Sequence, residues 1–198
     1  VAASWCAGCA GPAKSVKPPN LAPVAEGSAP DVPAPAESPD GEVASGSNDL
    51  SQVVGTKMQP FKLKTVRGKL FKVQKHLGKD VIMISFWATW CGPCKVELAQ
   101  MAPIYERLKD KGFVYLAVST DSPDTVAEVR PYIEGQGYVF PALIDSKSTL
   151  LSRYNPRGDM PFYLIVNRRG EVVEQHQGFT IGDEVAIEAK IVSLLGAQ

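Results

Sequence analysis

An unbroken apolar run stands directly before two closely spaced cysteines near the middle of the chain. Residues 81–86 read Val-Ile-Met-Ile-Ser-Phe, and a run of this kind without alternation predicts a β-strand that is covered on both faces. Residues 95–111 then place apolar side chains three and four positions apart, which predicts a helix. The chain therefore passes from a buried strand to a helix through a short segment that carries Cys91 and Cys94. This succession indicates the α/β class.

The remaining segments continue the alternation of strands and helices. Extended segments are predicted at residues 61–65, 70–73, 113–118, 138–144, 162–166 and 171–175, and further helices at 148–154 and 183–195. Another helix is predicted to start within residues 119–124, and Asp121, Asp145 and Asp159 are assigned to helix caps or turns. The first two strands flank Arg67-Gly68, which indicates a hairpin. We predict a mixed sheet flanked by helices, with an added N-terminal β-hairpin.

Composition limits the possible partners. Lysine plus arginine equal aspartate plus glutamate, at 21 each, so the charge balance gives no electrostatic reason to expect a nucleic-acid partner. The four cysteines form two Cys-x-x-Cys pairs, much farther apart than the about 15–20 residues usual in zinc ribbons. His76 and His176 belong to no ligand spacing and are interpreted as surface residues. We therefore predict no metal site, and we expect a monomer.

The N-terminal residues 1–11 are small and apolar, and they lack the basic start of a complete signal peptide. Ala7-Gly8-Cys9 resembles the end of a bacterial lipobox, in which Cys9 would carry a lipid anchor. The alternatives are a signal-peptide remnant, an inert tail, or a second redox pair formed by Cys6 and Cys9. The redox reading lacks support, because no strand precedes that pair and no helical pattern follows it.

A proline-rich segment separates this start from the folded region. Residues 12–49 contain eight of the chain's 16 prolines, and they are predicted to be a disordered linker because they cannot bury enough apolar area. Such a linker could hold a domain away from a surface. The folded domain is predicted to occupy residues 50–198.

A Cys-x-x-Cys pair at the start of a helix has a chemical rationale. The unpaired N–H groups of the first turn carry roughly half a positive charge, which stabilises a thiolate on the first cysteine. Such thiols reach pKa values of about 3.5–7.5, against about 8.5 for a free cysteine, and the thiolate is the nucleophile of disulfide exchange. The second cysteine lies one turn further on. Between them, Pro93 has no N–H to lose at a helix start, and Gly92 leaves the approach to the sulfur open.

Residues 87–94, Trp-Ala-Thr-Trp-Cys-Gly-Pro-Cys, resemble the active site of the thioredoxin superfamily. Residues 56–197 are more closely similar to the extracytoplasmic thiol-disulfide oxidoreductases of the TlpA/ResA type. The hairpin, residues 90–97, residues 119–123 and residues 138–145 all fit that family. The resemblance implies a thioredoxin-like fold and no cofactor beyond a redox-active disulfide between Cys91 and Cys94.

The resemblance also implies roles for single residues. Cys91 matches the nucleophile and Cys94 the resolving cysteine, while Pro161 matches a cis-proline that faces the two cysteines. Phe162 stands where relatives often have threonine, which indicates that the edge of the substrate-binding region beside Pro161 differs from theirs. The implied substrate-binding residues are Trp90, Gly92, Pro93, Met160 and Pro161.

Glu97 is the third residue to which the resemblance gives a catalytic role. It follows Cys94 by three positions and so lies on the same helix face. A glutamate at this place in the family lies near the active site and tunes the thiols, whereas thioredoxin has a buried aspartate at the position of Ser85. The proton-handling acid would thus have moved from the strand to the helix. The alternative is a solvated glutamate, which is common for this residue type.

Together these features predict a periplasmic or otherwise extracytoplasmic enzyme, secreted or tethered to a membrane through its N-terminus, that reduces disulfides in client proteins such as apocytochromes c. The Gly-Pro dipeptide resembles that of thioredoxin, with a potential of about −270 mV, rather than that of DsbA, at about −120 mV. The resemblance implies a membrane electron donor of the DsbD/CcdA kind.

Three other activities are alternatives on the same scaffold. A thiol oxidase or isomerase would use the same cysteines at a higher potential. A metal carrier of the copper-binding kind needs three residues between its cysteines and a downstream ligand histidine, whereas this chain has two residues between them. A peroxiredoxin needs a Thr-x-x-Cys pattern, which the chain lacks.

Overall fold

The computed structural model describes residues 53–197, so the predictions for residues 1–11, for the linker 12–49 and for Cys9 lie outside the described residues. The strands in this part of the chain are β1 (Lys62–Thr65), β2 (Leu70–Lys72), β3 (Val81–Trp87), β4 (Phe113–Ser119), β5 (Ala142–Ile144), β6 (Phe162–Val166) and β7 (Val172–Gln177). The α-helices are α1 (Gly92–Leu108), α2 (Val129–Gly135), α3 (Leu151–Tyr154) and α4 (Asp183–Gly196). None of these helices has the length and apolar character of a membrane span.

The strands form one mixed sheet in the order β2-β1-β5-β4-β3-β6-β7. β3, β4 and β5 run parallel to one another, while β6 pairs antiparallel with β3 and β7 antiparallel with β6. The hairpin β1–β2 joins the other edge through antiparallel pairing with β5. The predicted mixed sheet with an added N-terminal hairpin is confirmed.

β3 lies inside this sheet, and all of its residues are buried. Because successive strand side chains point to opposite faces, β3 contributes to two apolar clusters. Met83 packs in one cluster with Leu98 of α1 and Ile191 of α4. Ile84 packs in the other with Leu151 of α3. The continuous apolar run in the sequence thus reflects a strand covered by helices on both faces.

The helix after the cysteines begins three residues earlier than the sequence pattern predicts. α1 starts at Gly92, and Cys91 is its N-cap with extended backbone angles (φ −85°, ψ 102°). Apolar periodicity misses this first turn because Gly-Pro-Cys carries no amphipathic signal, although proline is well suited to it. At the other end, a 3₁₀ turn at Lys109–Lys111 leads into Gly112, whose φ of 90° gives the predicted left-handed ending.

The prediction of a helix start within residues 119–124 is wrong. Ser119 completes β4. The carbonyl of Ser122 accepts the N–H groups of Thr125 and Val126 in a turn, and the first helical element is the 3₁₀ turn Val126–Glu128, which leads into α2. The assignment of Asp121 to a helix cap is wrong as well, because its carboxylate accepts hydrogen bonds from Thr89 and Ser119. The side chain of Asp121 therefore makes a tertiary contact and does not cap a helix.

Two predictions concern the segment between α2 and β6. Of the extended residues predicted at 138–144, only Ala142–Ile144 pair as a strand. The cap predicted for Asp145 is confirmed, because its carboxylate accepts hydrogen bonds from the backbone N–H groups of Thr149, Leu150 and Leu151. These bonds satisfy N–H groups that would otherwise be unpaired at the start of α3.

We expect Ile191→Ala to lower the free energy of unfolding by about 2–5 kcal/mol, because it leaves a cavity where α4 packs on the sheet. Ile191 is fully buried, whereas its neighbour Val192 is 49% exposed. The matched control, Val192→Ala, should change the same quantity by no more than about 0.5 kcal/mol. Equilibrium unfolding in guanidinium chloride measures both, and equal effects of the two substitutions would contradict this packing.

Candidate active site

The end of β3 places the first cysteine at the start of α1. After Trp87 the chain makes a turn in which the N–H of Cys91 donates to the carbonyl of Ala88 (3.0 Å). Cys91 and Cys94 form a disulfide with a Cα–Cα distance of 5.3 Å. The N–H of Cys94 donates to Sγ of Cys91 (3.3 Å). Sulfur therefore occupies the N-cap position, where a helix favours negative charge.

The two cysteines are much less exposed to solvent than the residues around them. Cys91 is 6% and Cys94 1% exposed, whereas Trp90 is 67% exposed. Gly92 and Pro93 are exposed as well, and a Cβ on Gly92 would meet no atom within 4 Å. A side chain at Gly92 would thus fit the fold, and its effect would be to fill the space in front of the helix start.

Residues 88–91, which we call the cysteine loop, form one wall of the site together with the start of α1. The residues that lead into β6 form the second wall. The Met160–Pro161 peptide bond is cis, as the resemblance implies. The carbonyl of Pro161 accepts a hydrogen bond from the N–H of Gly178 (2.7 Å). Because Phe162 pairs with Phe86, Pro161 lies beside the point where β3 gives way to the cysteine loop. The structure therefore brings Met160 and Pro161 to the same edge of the sheet as the disulfide.

Glu97 is buried, and the solvated alternative is wrong. Its side chain is 1% exposed, and Oε1 accepts a hydrogen bond from Oγ of Ser85 (2.5 Å). Oε2 has no partner. Burial raises the pKa of Glu97 to about 8, and the weaker opposing effect comes from the Ser85 hydrogen bond. With its pKa in this range, Glu97 is mainly protonated at neutral pH while the disulfide is present.

Two tyrosines lie on the same face of the sheet as this acid. Tyr115 is fully buried, and its hydroxyl has no hydrogen-bond partner in the part of the chain that the structure describes. Its pKa is raised well above the usual value, first by burial and then by the proximity of Glu97. Tyr163 pairs with Ser85 in the sheet, and its hydroxyl donates to Glu174 (3.1 Å). Within residues 53–197, Glu97 therefore contacts the hydroxyl of Ser85 and has no basic hydrogen-bond partner.

Sequence reasoning missed the contact between Asp121 and the cysteine loop. Asp121 is fully buried, and its carboxylate accepts hydrogen bonds from both the N–H and the hydroxyl of Thr89. The sequence did contain a signal for this contact. Asp121 follows a buried strand that is parallel to β3, and the carboxyl ends of parallel strands meet at one edge of the sheet. The proline that follows at position 123 instead favoured the helix interpretation.

His76 follows the 3₁₀ turn after β2, and His176 lies in β7 beside Tyr163. Nδ1 of His76 is 2.7 Å from Oδ2 of Asp80, and the ring stacks on Phe71. His176 is exposed and packs on the ring of Tyr163. His76 is thus half-buried rather than fully at the surface. Residues 53–197 contain no group of three or more His, Cys, Asp or Glu side chains arranged to hold a metal ion.

Comparisons with known proteins agree with this geometry. The model of the AhpC/TSA family matches residues 54–175. The thiol-disulfide oxidoreductase ResA of Bacillus thuringiensis (strain Al Hakam) is 30% identical over 122 residues, which are 62% of this chain and 68% of that protein. ResA of Geobacillus kaustophilus (strain HTA426) is 33% identical over 119 residues, 60% of this chain and 66% of that one.

A solved structure gives the same result for the fold. It is a protein of Chlorobium tepidum described as a candidate thiol:disulfide interchange protein DsbE, with a TM-score of 0.64 and 29% identity over 72% of this chain and 98% of that one. The family match covers both the disulfide and the cis-proline. The protein is a thiol-disulfide oxidoreductase, and its chain belongs to the AhpC/TSA family.

Proposed function

We propose that the protein works outside the cytoplasm and reduces disulfides in client proteins. The observation that carries this proposal is the position of Cys91, whose sulfur caps α1 and accepts the N–H of Cys94. In the reduced protein the N–H of Cys94 and the positive end of the α1 dipole would stabilise a Cys91 thiolate. The exposed Trp90 and the exposed Gly92-Pro93 pair give a client access to this sulfur.

The cycle consists of two exchange steps. The Cys91 thiolate attacks one sulfur of a client disulfide, forms a mixed disulfide and releases the other client sulfur as a thiolate. The Cys94 thiolate then attacks Sγ of Cys91, which forms the Cys91–Cys94 disulfide and releases the second client sulfur. Two electrons pass to the client, and the two client thiolates take up protons according to their pKa. Trp90, Gly92, Pro93, Met160 and Pro161 would bind the client chain around the reacting sulfurs.

The proposed direction rests on the dipeptide between the cysteines. Gly92-Pro93 is similar to the pair in thioredoxin, a reductant with a potential of about −270 mV. A reductant in an oxidising compartment needs an electron supply, for which we propose a membrane donor of the DsbD/CcdA kind. Apocytochromes c are proposed as one client class. A lipid on Cys9 would hold the catalytic domain close to that donor.

Glu97 is proposed to exchange protons with the dithiol. It follows Cys94 by one turn of α1, and both side chains are buried. A neutral acid at this depth can give up its proton only at the cost of a buried charge, so its protonation state responds to charge on the nearby thiols. We propose that Glu97 thereby sets the pH range in which Cys91 and Cys94 react.

The redox potential tests the proposed direction. We expect equilibration of the full chain with glutathione or dithiothreitol buffers to give a value close to the about −270 mV of thioredoxin. Gel-shift labelling of free thiols measures the reduced fraction in each buffer. A Cys91→Ser variant is the control, because it cannot form this disulfide. A potential above about −150 mV would indicate an oxidase or isomerase instead.

Cys94→Ser tests the order of the two exchange steps. We expect this variant to accumulate a mixed disulfide between Cys91 and a peptide that carries a Cys-x-x-Cys-His disulfide, because the second step is removed. Non-reducing electrophoresis and mass spectrometry identify the adduct. Cys91→Ser should give none. If the adduct forms through Cys94 in that control, the assignment of nucleophile and resolving cysteine is reversed.

Glu97→Gln tests the buried acid in the oxidised protein. Unfolding exposes Glu97 and returns its pKa from about 8 to about 4.5, so the folded state holds the extra proton between these values. Stability of the parent protein should therefore contain a contribution that falls as pH rises from 4.5 to 8 and is constant above it. Glu97→Gln should remove this contribution and shift the pH profile of Cys91 alkylation in the reduced protein.

The matched control for this experiment is Glu106→Gln on the exposed face of α1, where the side chain pairs with Lys109. Exposed pairs of this kind contribute little to stability, so neither pH profile should move. Unfolding in urea at each pH and alkylation by iodoacetamide provide the two measurements. If the profiles of parent and Glu97→Gln coincide, Glu97 has no role in proton handling.

A further inference from the structure

Three consecutive residues at the carboxyl end of β4 contact both walls of the active site. This strand-end segment consists of Ser119, Thr120 and Asp121. Ser119 and Asp121 are fully buried, and Ser119 pairs with Trp87, the last residue of β3. The segment thus lies directly beside the loop that leads to Cys91, yet the proposed function gives it no role.

Asp121 binds the loop on the cysteine side. Its carboxylate accepts hydrogen bonds from the N–H of Thr89 (3.0 Å) and from the Thr89 hydroxyl (2.5 Å). The hydroxyl of Ser119 donates to the same carboxylate (2.9 Å). A fully buried carboxylate is tolerated only when it is well hydrogen-bonded, so Thr89 and Asp121 hold each other in place. Thr89 is two residues before Cys91.

Thr120 contacts the opposite wall. Its N–H donates to the carbonyl of Trp87 (2.9 Å). Its hydroxyl lies 3.2 Å from that same carbonyl and 3.2 Å from Sδ of Met160, the residue before the cis-proline. One side of the segment is therefore bound to the loop before Cys91, and its middle residue touches the loop that ends at Pro161.

We infer that Asp121 is a positioning residue for Cys91: by holding Thr89 it keeps the Cys91 sulfur on the helix N-terminus when no disulfide restrains it. In the oxidised protein the Cys91–Cys94 bond restrains the loop as well, so the Asp121 contact matters most after reduction. The inference rests on the proposed function, in which the Cys91 thiolate attacks the client.

Positioning and direct electrostatics predict opposite results for Asp121→Asn. If the Asp121 charge acted on Cys91 through space, its removal would favour the thiolate and lower the pKa of Cys91. If Asp121 acts by holding Thr89, its replacement loosens the loop, moves the sulfur away from the helix terminus and raises that pKa. The titratable side chains that surround this region include Lys95 and Glu97 on α1, Tyr115 on β4, Tyr132 on α2 and Tyr163 on β6, and none of them is altered.

The experiment measures the pKa of Cys91 in the full chain with the Cys94→Ser background, from the pH dependence of alkylation by iodoacetamide, followed on the peptide that contains Cys91. We expect Asp121→Asn and Thr89→Val each to raise this pKa by about 0.5 or more, which is roughly a threefold loss of thiolate below the pKa. Thr89→Ser keeps the hydroxyl and should restore the parent value. Ser122→Ala, at an exposed neighbouring position, is the matched control.

Several outcomes would overturn the inference. A lower pKa in Asp121→Asn would show that the charge acts directly, and an unchanged pKa with a lower free energy of unfolding would show that the contact only stabilises the fold. Thr89→Val guards against an Asp121→Asn protein that fails to fold, because it keeps the carboxylate. If the parent Cys91 has an ordinary pKa of about 8.5 and forms no adduct with the client peptide, the proposed function fails instead.

Discussion

The structure depends on the junction at which β3 ends and α1 begins. β3 is buried along its whole length, so any shift along the strand axis would expose apolar side chains from both clusters. That restraint determines where the chain leaves the sheet, and in the first turn of α1 the N–H of Cys94 then donates to the Cys91 sulfur. The packing of β3 in the core thus fixes the position of the Cys91 sulfur at the N-terminus of α1.

Two buried acids lie close to this junction in different surroundings. Glu97 accepts one hydrogen bond from Ser85, its other oxygen has no partner in the described part of the chain, and burial raises its pKa. Asp121 accepts hydrogen bonds from Thr89 and Ser119 at the strand edge. The first environment suits a group that gains or loses a proton, and the second suits a group that holds a loop. The two carboxyl groups therefore differ in the number of hydrogen-bond donors around them, and the two roles that we propose for them follow from this difference.

Prediction from sequence succeeded where one local pattern was enough. The run at residues 81–86 predicted β3 because burial on both faces leaves no alternation, and Arg67-Gly68 between two short strands predicted the hairpin. It failed at residues 119–124, where Ser, Thr, Asp and Pro are equally typical of a helix start and of a buried polar contact. Only the partner decides between these two readings, and that partner, Thr89, lies 32 residues away.

The sequence by itself determined the class of fold, the order of its elements, and the pair of cysteines between a strand and a helix, since each of these depends on neighbouring residues. It also supported the place of Glu97 on the cysteine face, because helical spacing is a local property. Tertiary structure alone decided that Glu97 is buried with no basic partner within residues 53–197 and that Asp121 accepts hydrogen bonds from Thr89. Burial and long-range hydrogen bonds are set by distant parts of the chain, and no local pattern contains them.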